Sequence, residues 1–213
     1  MYFDIGQVSE FYYADYVNDN VIPEYKMSYL QSLGESWGLI PEKYADVFMD
    51  NHDTQRNGRA RLTYKNGDLY TFANIFMLSW PYGNARVMSS YYFSYSDQGP
   101  PSVGVEGGKY CMDNSHWVCE HRWGPIANMV NWRNAAESYP VENWQNGANG
   151  NQIAFSRGGK AFIAFNRGTS VWTATLYTGL PQGTYCNVIG DINDDNVETC
   201  PTVVVDSSGK ATV

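Results

Sequence analysis

Four polar or ionisable residues in a row, Asp50, Asn51, His52 and Asp53, directly follow residues 45–49, which are apolar except for Asp46. A near-continuous apolar run of this length is typical of a strand that is buried on both faces of a parallel sheet. Polar side chains immediately after such a strand indicate that the strand end faces a site. The His52–Asp53 pair fits three interpretations: a metal-binding dyad, a strand-end Asx turn, or an active-site pair.

The bulk composition argues against two classes of partner. The net charge is -8 and the sequence has no basic run, so a phosphate backbone would be repelled and we expect no nucleic-acid binding. The longest apolar stretch, residues 72–80, is interrupted by Asn74 and Ser79 and stopped by Pro81, so we expect no membrane partner. With 43% hydrophobic and 17% charged residues, the composition is that of an ordinary globular protein.

The four cysteines form two locally spaced pairs, Cys111 with Cys119 and Cys186 with Cys200. Neither pair has the C-x-x-C spacing of a zinc site, which favours two disulfides formed in an oxidising compartment. We therefore expect a secreted protein. The first residues lack the basic and apolar regions of a signal peptide, so the export signal is expected upstream of this chain.

Up to about residue 138, short apolar runs alternate with helical periodicity, which indicates βαβα units. Strands are predicted at 7–13, 45–49 and 85–91, and helices at 23–37, from Asp68 to Pro81, and at 125–136. The predicted buried positions of these helices are Ile22, Tyr25, Tyr29 and Leu33, then Leu69, Phe72, Ala73, Phe76, Met77 and Trp80, and finally Ile126, Met129 and Val130.

After residue 143 the pattern becomes all-β. Short strands are predicted at 152–156, 161–166, 172–177, 184–189 and 202–206, separated by Gly-rich turns, which is typical of a sandwich. We therefore divide the chain into an α/β part, residues 1–138, and an all-β domain, residues 139–213. Three βα units cannot close an eight-fold barrel, which needs about 250 residues.

The string Asp50-Asn51-His52-Asp53-x-Gln55-Arg56 resembles the seventh-strand motif of the α-amylase family of glycoside hydrolases. Further resemblances to animal α-amylases follow in order along the chain, at residues 8–11, 80–91, 117–123 and 178–186. They imply the C-terminal part of a TIM (β/α)8 barrel, about strands 6–8, followed by a Greek-key β-sandwich.

The resemblance also implies an activity, the retaining hydrolysis of α-1,4-glucosidic bonds in starch and glycogen by a monomeric enzyme. Retaining glycosidases use a nucleophilic carboxylate and a protonated carboxyl about 5–5.5 Å apart. In this family both come from strands that would precede residue 1, so the chain by itself is expected to be inactive. Asp53 matches the third active-site carboxylate, and His52 matches a neighbour that binds the same sugar.

Two ions are implied by the resemblance. Asn51 and Arg86 match chloride ligands, although Arg86 could instead pair with a carboxylate inside the barrel. The family's calcium ligands would lie upstream, so no metal ligand is assigned here. The segment at 57–63 departs from the family pattern, since it is short and basic and lacks a substrate-binding histidine.

Two other functions remain open at this stage. The chain could be a non-catalytic carbohydrate-binding or interaction protein that uses its β-sandwich. It could also be a metal-dependent hydrolase built on His52 and Asp53, for which His116 and His121 are the other histidines available.

Overall fold

The computed structural model describes residues 2–189 and 200–213, and a short parallel sheet forms the centre of its first part. Strands β1 (Val8–Ser9), β2 (Ala45–Val47) and β3 (Asn84–Ala85) pair in the order β1-β2-β3, which makes β2 central. They occupy the places predicted for the first three strands but are shorter, and β3 begins one residue early. The eight-stranded barrel implied by the resemblance stays a prediction.

Helix α1 (Phe11–Val21) begins where the sequence predicted that the first strand would continue. Its start is fixed by Glu10, whose carboxylate accepts a 3.1 Å hydrogen bond from the Tyr12 backbone amide. One face, with Tyr13, Val17 and Val21, is fully buried. The strand predicted at 7–13 was therefore too long, because the aromatic residues that suggested it form the first turn of a helix.

The helix predicted at 23–37 is wrong. Its residues form two 3₁₀ turns, Met27–Ser32 and Glu35–Trp37, and Gly38 ends the second turn at a φ of 85°. The predicted buried face is wrong for Tyr25 and Tyr29, which are 54% and 52% exposed, whereas Leu33 is buried and Ile22 is half-buried. Spacing alone suggested helical periodicity here, but packing buries other residues of the segment, including Met27 and Leu30.

Two helices agree with their predicted positions but not with every predicted buried residue. Helix α2 (Asp68–Ser79) has Gly67 at its N-cap, and it buries Tyr70 while Leu69 is exposed. Helix α3 (Gly124–Ala136) carries a proline in its first turn, as expected, but Val130 is exposed. No helix within residues 2–189 and 200–213 is both long and apolar enough to cross a membrane.

The second part is all-β and antiparallel, as predicted. Strands β4 (Val141–Asn146), β5 (Gln152–Arg157) and β6 (Ala161–Asn166) form one sheet. Strand β7 (Thr175–Tyr177) pairs with β10 (Lys210–Thr212), and β8 (Gly183–Cys186) pairs with β9 (Thr202–Val205). Strands β4 and β10 were not predicted. These sheets fit a β-sandwich, while its Greek-key connection and the division at residue 138 stay predictions.

One aromatic cluster joins the two parts. Trp80, which follows α2, packs edge-on against Trp144 of β4 and Phe155 of β5, with ring centroids 5.9 and 5.7 Å away. Trp144 and Phe155 stack on each other at 5.4 Å. Phe72 of α2 meets Phe165 of β6 at 5.2 Å. The α/β part and the all-β part therefore bury their apolar side chains in a common core.

Candidate functional site

A tight turn leaves the central strand β2 and presents the predicted site residues. Met49 and Asp50 are still buried, whereas the side chains of His52 and Asp53 are 80% and 74% exposed. His52 Nε2 lies 3.6 Å from Asp53 Oδ1, so the two side chains form a loose pair at the surface. The turn therefore brings together both residues that the motif assigned to a sugar.

Asn51 organises the inside of this turn. Its side-chain oxygen accepts hydrogen bonds from the backbone amides of Asp53, at 3.0 Å, and Thr54, at 2.8 Å. The Thr54 hydroxyl in turn accepts a hydrogen bond from the backbone amide of Asn51 at 2.9 Å. This is an Asx turn, one of the three interpretations of the sequence, and it fixes the backbone that carries Asp53.

The base of the turn is closed by a buried hydrogen-bond network that starts at Asp50. Tyr70 of α2 donates to Asp50 Oδ1 at 2.7 Å, and Gln55 Nε2 donates to Asp50 Oδ2 at 3.0 Å. The same Gln55 nitrogen donates to Ser90 Oγ at 3.0 Å. Ser90 donates to Glu120 through its backbone amide, at 2.7 Å, and through its hydroxyl. Four separate segments thus meet beneath the turn.

Both carboxyl groups of the network are difficult to ionise. Burial raises the pKa of Asp50 to about 7, with a further contribution from the charge of Glu120, while the hydrogen bonds from Tyr70 and Gln55 act in the opposite direction. Burial also raises the pKa of Glu120, against the hydrogen bonds that it accepts from Ser90. Near neutral pH the pair therefore resists carrying two negative charges.

Arg56 fixes the far side of the turn. Its guanidinium donates to the carbonyl oxygens of Ser96 and Gln98, at 2.5 and 2.9 Å. It also lies over the rings of Tyr91 and Phe93, 4.7 and 4.4 Å from their centroids. Segment 91–98 is thereby attached to the residue that follows the candidate site.

Arg86 lies at the carboxyl end of β3, next to β2. Its guanidinium donates to Asp46 Oδ2 at 2.9 Å, and Asn84 donates to Asp46 Oδ1 at the same distance. Although partial burial opposes it, these hydrogen bonds lower the pKa of Asp46. The pairing with a carboxylate that the sequence left open for Arg86 is therefore present. Its side chain is 61% exposed.

Both predicted disulfides are confirmed. Cys111 is bonded to Cys119, with their Cα atoms 5.5 Å apart, and Cys186 is bonded to Cys200. Cys119 immediately precedes Glu120 and has a φ of 56°, so this bridge helps to define the direction in which the buried Glu120 enters the network.

The sequence motif contained part of the network without indicating its role. Asp50 and Gln55 belong to the string that carries the resemblance, and Glu120 follows a cysteine in another matched segment, yet nothing in their spacing showed that they meet. Two surface grooves, of about 430 and 350 Å³, are lined by other residues than His52 and Asp53. In the described residues no group of three or more His, Cys, Asp or Glu is placed to hold a metal ion.

Known proteins share this combination of a βα segment and an antiparallel domain. The family model of the α-amylase C-terminal all-β domain matches residues 144–213. Over 99% of its length the chain is 43% identical to an α-amylase of Streptomyces violaceus and 44% identical to pancreatic α-amylase 2a5 of Mus musculus. The fold matches that of α-amylase I of Eisenia fetida with a TM-score of 0.88 at 35% identity, over 98% of this chain.

Residues 144–213 thus form an α-amylase C-terminal domain, and by sequence and by fold the chain is similar to α-amylases along nearly its whole length. It spans 34% and 45% of the lengths of the Streptomyces and mouse relatives, and 46% of the earthworm chain. A mutant of the earthworm enzyme has been solved as a complex with maltohexaose.

Proposed function

We propose that this chain is a portion of a secreted α-amylase that cleaves α-1,4-glucosidic bonds of starch and glycogen with retention of configuration. The observation that carries the proposal is the braced turn after β2, which holds His52 and Asp53 side by side at the carboxyl end of a parallel strand. Identity to α-amylases along nearly the whole chain supports it.

In the proposed reaction, Asp53 accepts hydrogen bonds from hydroxyl groups of the sugar at the cleavage point, and His52 donates to the same sugar. The negative charge of Asp53 also disfavours ionisation of a neighbouring carboxyl, which helps to keep the general acid protonated. The nucleophile and the acid are expected in upstream sequence. Upstream segments would also supply walls around His52 and Asp53, whose side chains are 80% and 74% exposed here.

Secretion and two ions belong to the same proposal. The two disulfides suit an oxidising compartment. Asn51 and Arg86 follow adjacent strands and both carry N–H donors, which are the groups that a chloride ion requires. Arg86 also pairs with Asp46, so an anion would share that guanidinium with a carboxylate. Calcium, when bound, would be held by residues upstream of this chain.

The test uses a chimera, because the isolated chain is expected to hydrolyse no starch. In α-amylase I of Eisenia fetida, the 46% that matches this chain is replaced by it. We expect the chimera to release α-configured products from starch. Their configuration is measured by NMR of the anomeric proton. Asp53→Asn should lower its turnover by about 100-fold or more, as for the loss of other groups that stabilise developing charge.

Asp68→Asn is the matched control, since Asp68 is exposed in the first turn of α2, and it should leave turnover unchanged. Starch hydrolysis by the isolated 213-residue chain would refute the claim that other carboxyls are required. An Asp53→Asn chimera with wild-type turnover would remove the role proposed for Asp53.

A further inference from the structure

The turn that carries His52 and Asp53 depends on a contact at its base. Asp50 lies just before the turn and Gln55 just after it, and their side chains meet at 3.0 Å. This hydrogen bond closes a loop of four residues, 51–54, in which Asn51 fixes the amides of Asp53 and Thr54. If Gln55 moved, the segment that presents Asp53 would lose its anchor at one end.

Gln55 is itself held from a distant part of the chain. Its side-chain nitrogen is shared between Asp50 and the hydroxyl of Ser90, 35 residues away. The Ser90 hydroxyl is free to accept from Gln55 because its own proton goes to Glu120. Glu120 also accepts a hydrogen bond from the Ser90 backbone amide at 2.7 Å. It therefore fixes both the position of Ser90 and the direction in which the Ser90 hydroxyl donates.

Glu120 is fully buried, with 0% exposure, so its carboxyl cannot touch a sugar. Burying a carboxyl group is costly unless its oxygens are hydrogen-bonded, and here both are used on Ser90. Such a group is expected to define one arrangement of its partners, since any other leaves it unsatisfied.

We propose that Glu120 is a positioning residue for this site, which fixes through Ser90 and Gln55 the base of the turn that presents His52 and Asp53. The inference rests on the proposed function for its catalytic consequence, but the hydrogen-bond relay itself exists without a sugar. Loss of Glu120 frees the Ser90 hydroxyl to rotate, which weakens its contact with Gln55 and loosens the turn.

The relay is tested on the 213-residue chain by amide hydrogen exchange of Asp53 and Thr54, followed by NMR. In Glu120→Ala and in Ser90→Ala we expect these two amides to exchange about tenfold faster or more, while the amides of β5 and β6 keep their rates. Glu120→Gln, which retains one of the two acceptor oxygens used by Ser90, should restore part of the protection. Glu106→Gln is the matched control, because Glu106 is exposed, and should change nothing.

Unchanged exchange at Asp53 and Thr54 in both Ala variants would overturn the proposal. Exchange that rises equally in β5 and β6 would also overturn it, because that pattern means a general loss of stability. In the active chimera, Ser90→Ala should lower kcat by about tenfold with KM within about twofold of wild type. If the wild-type chimera were inactive, the proposed function would fail while the exchange result still decided the relay.

Discussion

At the level of single residues, the Asp50 carboxyl lies under the turn with 2% exposure, and Tyr70 and Gln55 donate to its two oxygens. Burial raises its pKa from 3.8 to about 7, with the charge of Glu120 adding to the effect. Between about pH 4 and pH 7 the folded chain therefore holds a proton that the unfolded chain has released. The contribution of Asp50 to the free energy of unfolding is therefore greatest below about pH 4. It falls as the pH rises from about 4 to about 7 and is constant above that.

Asp50→Asn should reduce this pH dependence, because the amide cannot ionise. We expect urea unfolding of the wild-type chain to show stability falling between pH 4 and pH 7, by up to about 4 kcal/mol from Asp50. In the variant, the free energy of unfolding should fall less steeply with pH. The slope that remains comes from groups such as Glu120. Asp97→Asn, on an exposed side chain, is the control. A variant slope equal to that of wild type would contradict the raised pKa.

At the level of secondary-structure elements, arginine guanidinium groups satisfy the carboxyl ends of the helices. Arg157 of β5 is 1% exposed and donates to the carbonyl of Ser79, the last residue of α2, at 2.8 Å. It also donates to the carbonyls of Glu137 and Tyr139, just beyond α3, at 2.8 and 2.6 Å. Burial, with the charge of Arg133, lowers the pKa of Arg157 to about 10, so the guanidinium remains charged at neutral pH.

This arrangement matches a cation to the negative ends of two helix dipoles. Arg133 of α3 makes equivalent contacts with the end of α2, donating to the carbonyls of Trp80 and Gly83 at 2.7 Å each. Arg167, which follows β6, donates to carbonyls beyond α1, including that of Tyr25 at 2.7 Å. Each helix of the α/β part thus ends against at least one guanidinium, and two of the three arginines come from the all-β part.

Arg157→Met should destabilise the chain by about 3–5 kcal/mol, because three buried carbonyl groups lose their donor. Arg157→Lys should recover only part of this, since one ammonium cannot reproduce the planar set of donors. Arg59→Met is the matched control, as Arg59 belongs to an exposed ion pair with Asp15 and should cost less than about 1 kcal/mol. Equal losses of unfolding free energy in Arg157→Met and Arg59→Met would refute the role assigned to Arg157 as the donor to the carbonyl groups at the helix ends.

At the level of the whole molecule, the two parts are packed around the same aromatic residues. Trp80 is 5% exposed, donates its indole N–H to the Leu33 carbonyl at 2.9 Å, and contacts both Trp144 and Phe155. A side chain that packs in this way on both parts links their stabilities, because neither part keeps its core when the other unfolds.

We therefore expect Trp80→Ala to destabilise α2 and the β5–β6 pair together, by about 3–5 kcal/mol. Thermal unfolding of the wild-type chain should show one transition by both near-UV circular dichroism and hydrogen exchange, and the variant should keep one transition at lower temperature. Val171→Ala, on a side chain that is 91% exposed, is the control. Loss of protection in α2 with full protection in β5 would show that the cores are separate.

The sequence alone determined the features that depend on local pattern or on a family motif. The sequence predicted the buried strand β2, the polar residues that follow it, helices α2 and α3, the change to an all-β pattern and both disulfides. Apolar periodicity, turn residues and cysteine spacing are visible within about ten to fifteen residues, and a disulfide between near neighbours in sequence needs little further information.

Which residues of these elements are buried, and what their polar side chains contact, depends on how the elements pack against one another. Tyr70 rather than Leu69 faces the core, where Asp50 accepts a hydrogen bond from its hydroxyl. Helix α1 replaces part of a predicted strand because Tyr13, Val17 and Val21 pack on one buried helical face. The relay joins Gln55 to Ser90 across 35 residues and Ser90 to Glu120 across 30. Such contacts form when separate elements pack against each other, and no local pattern in the sequence specifies them.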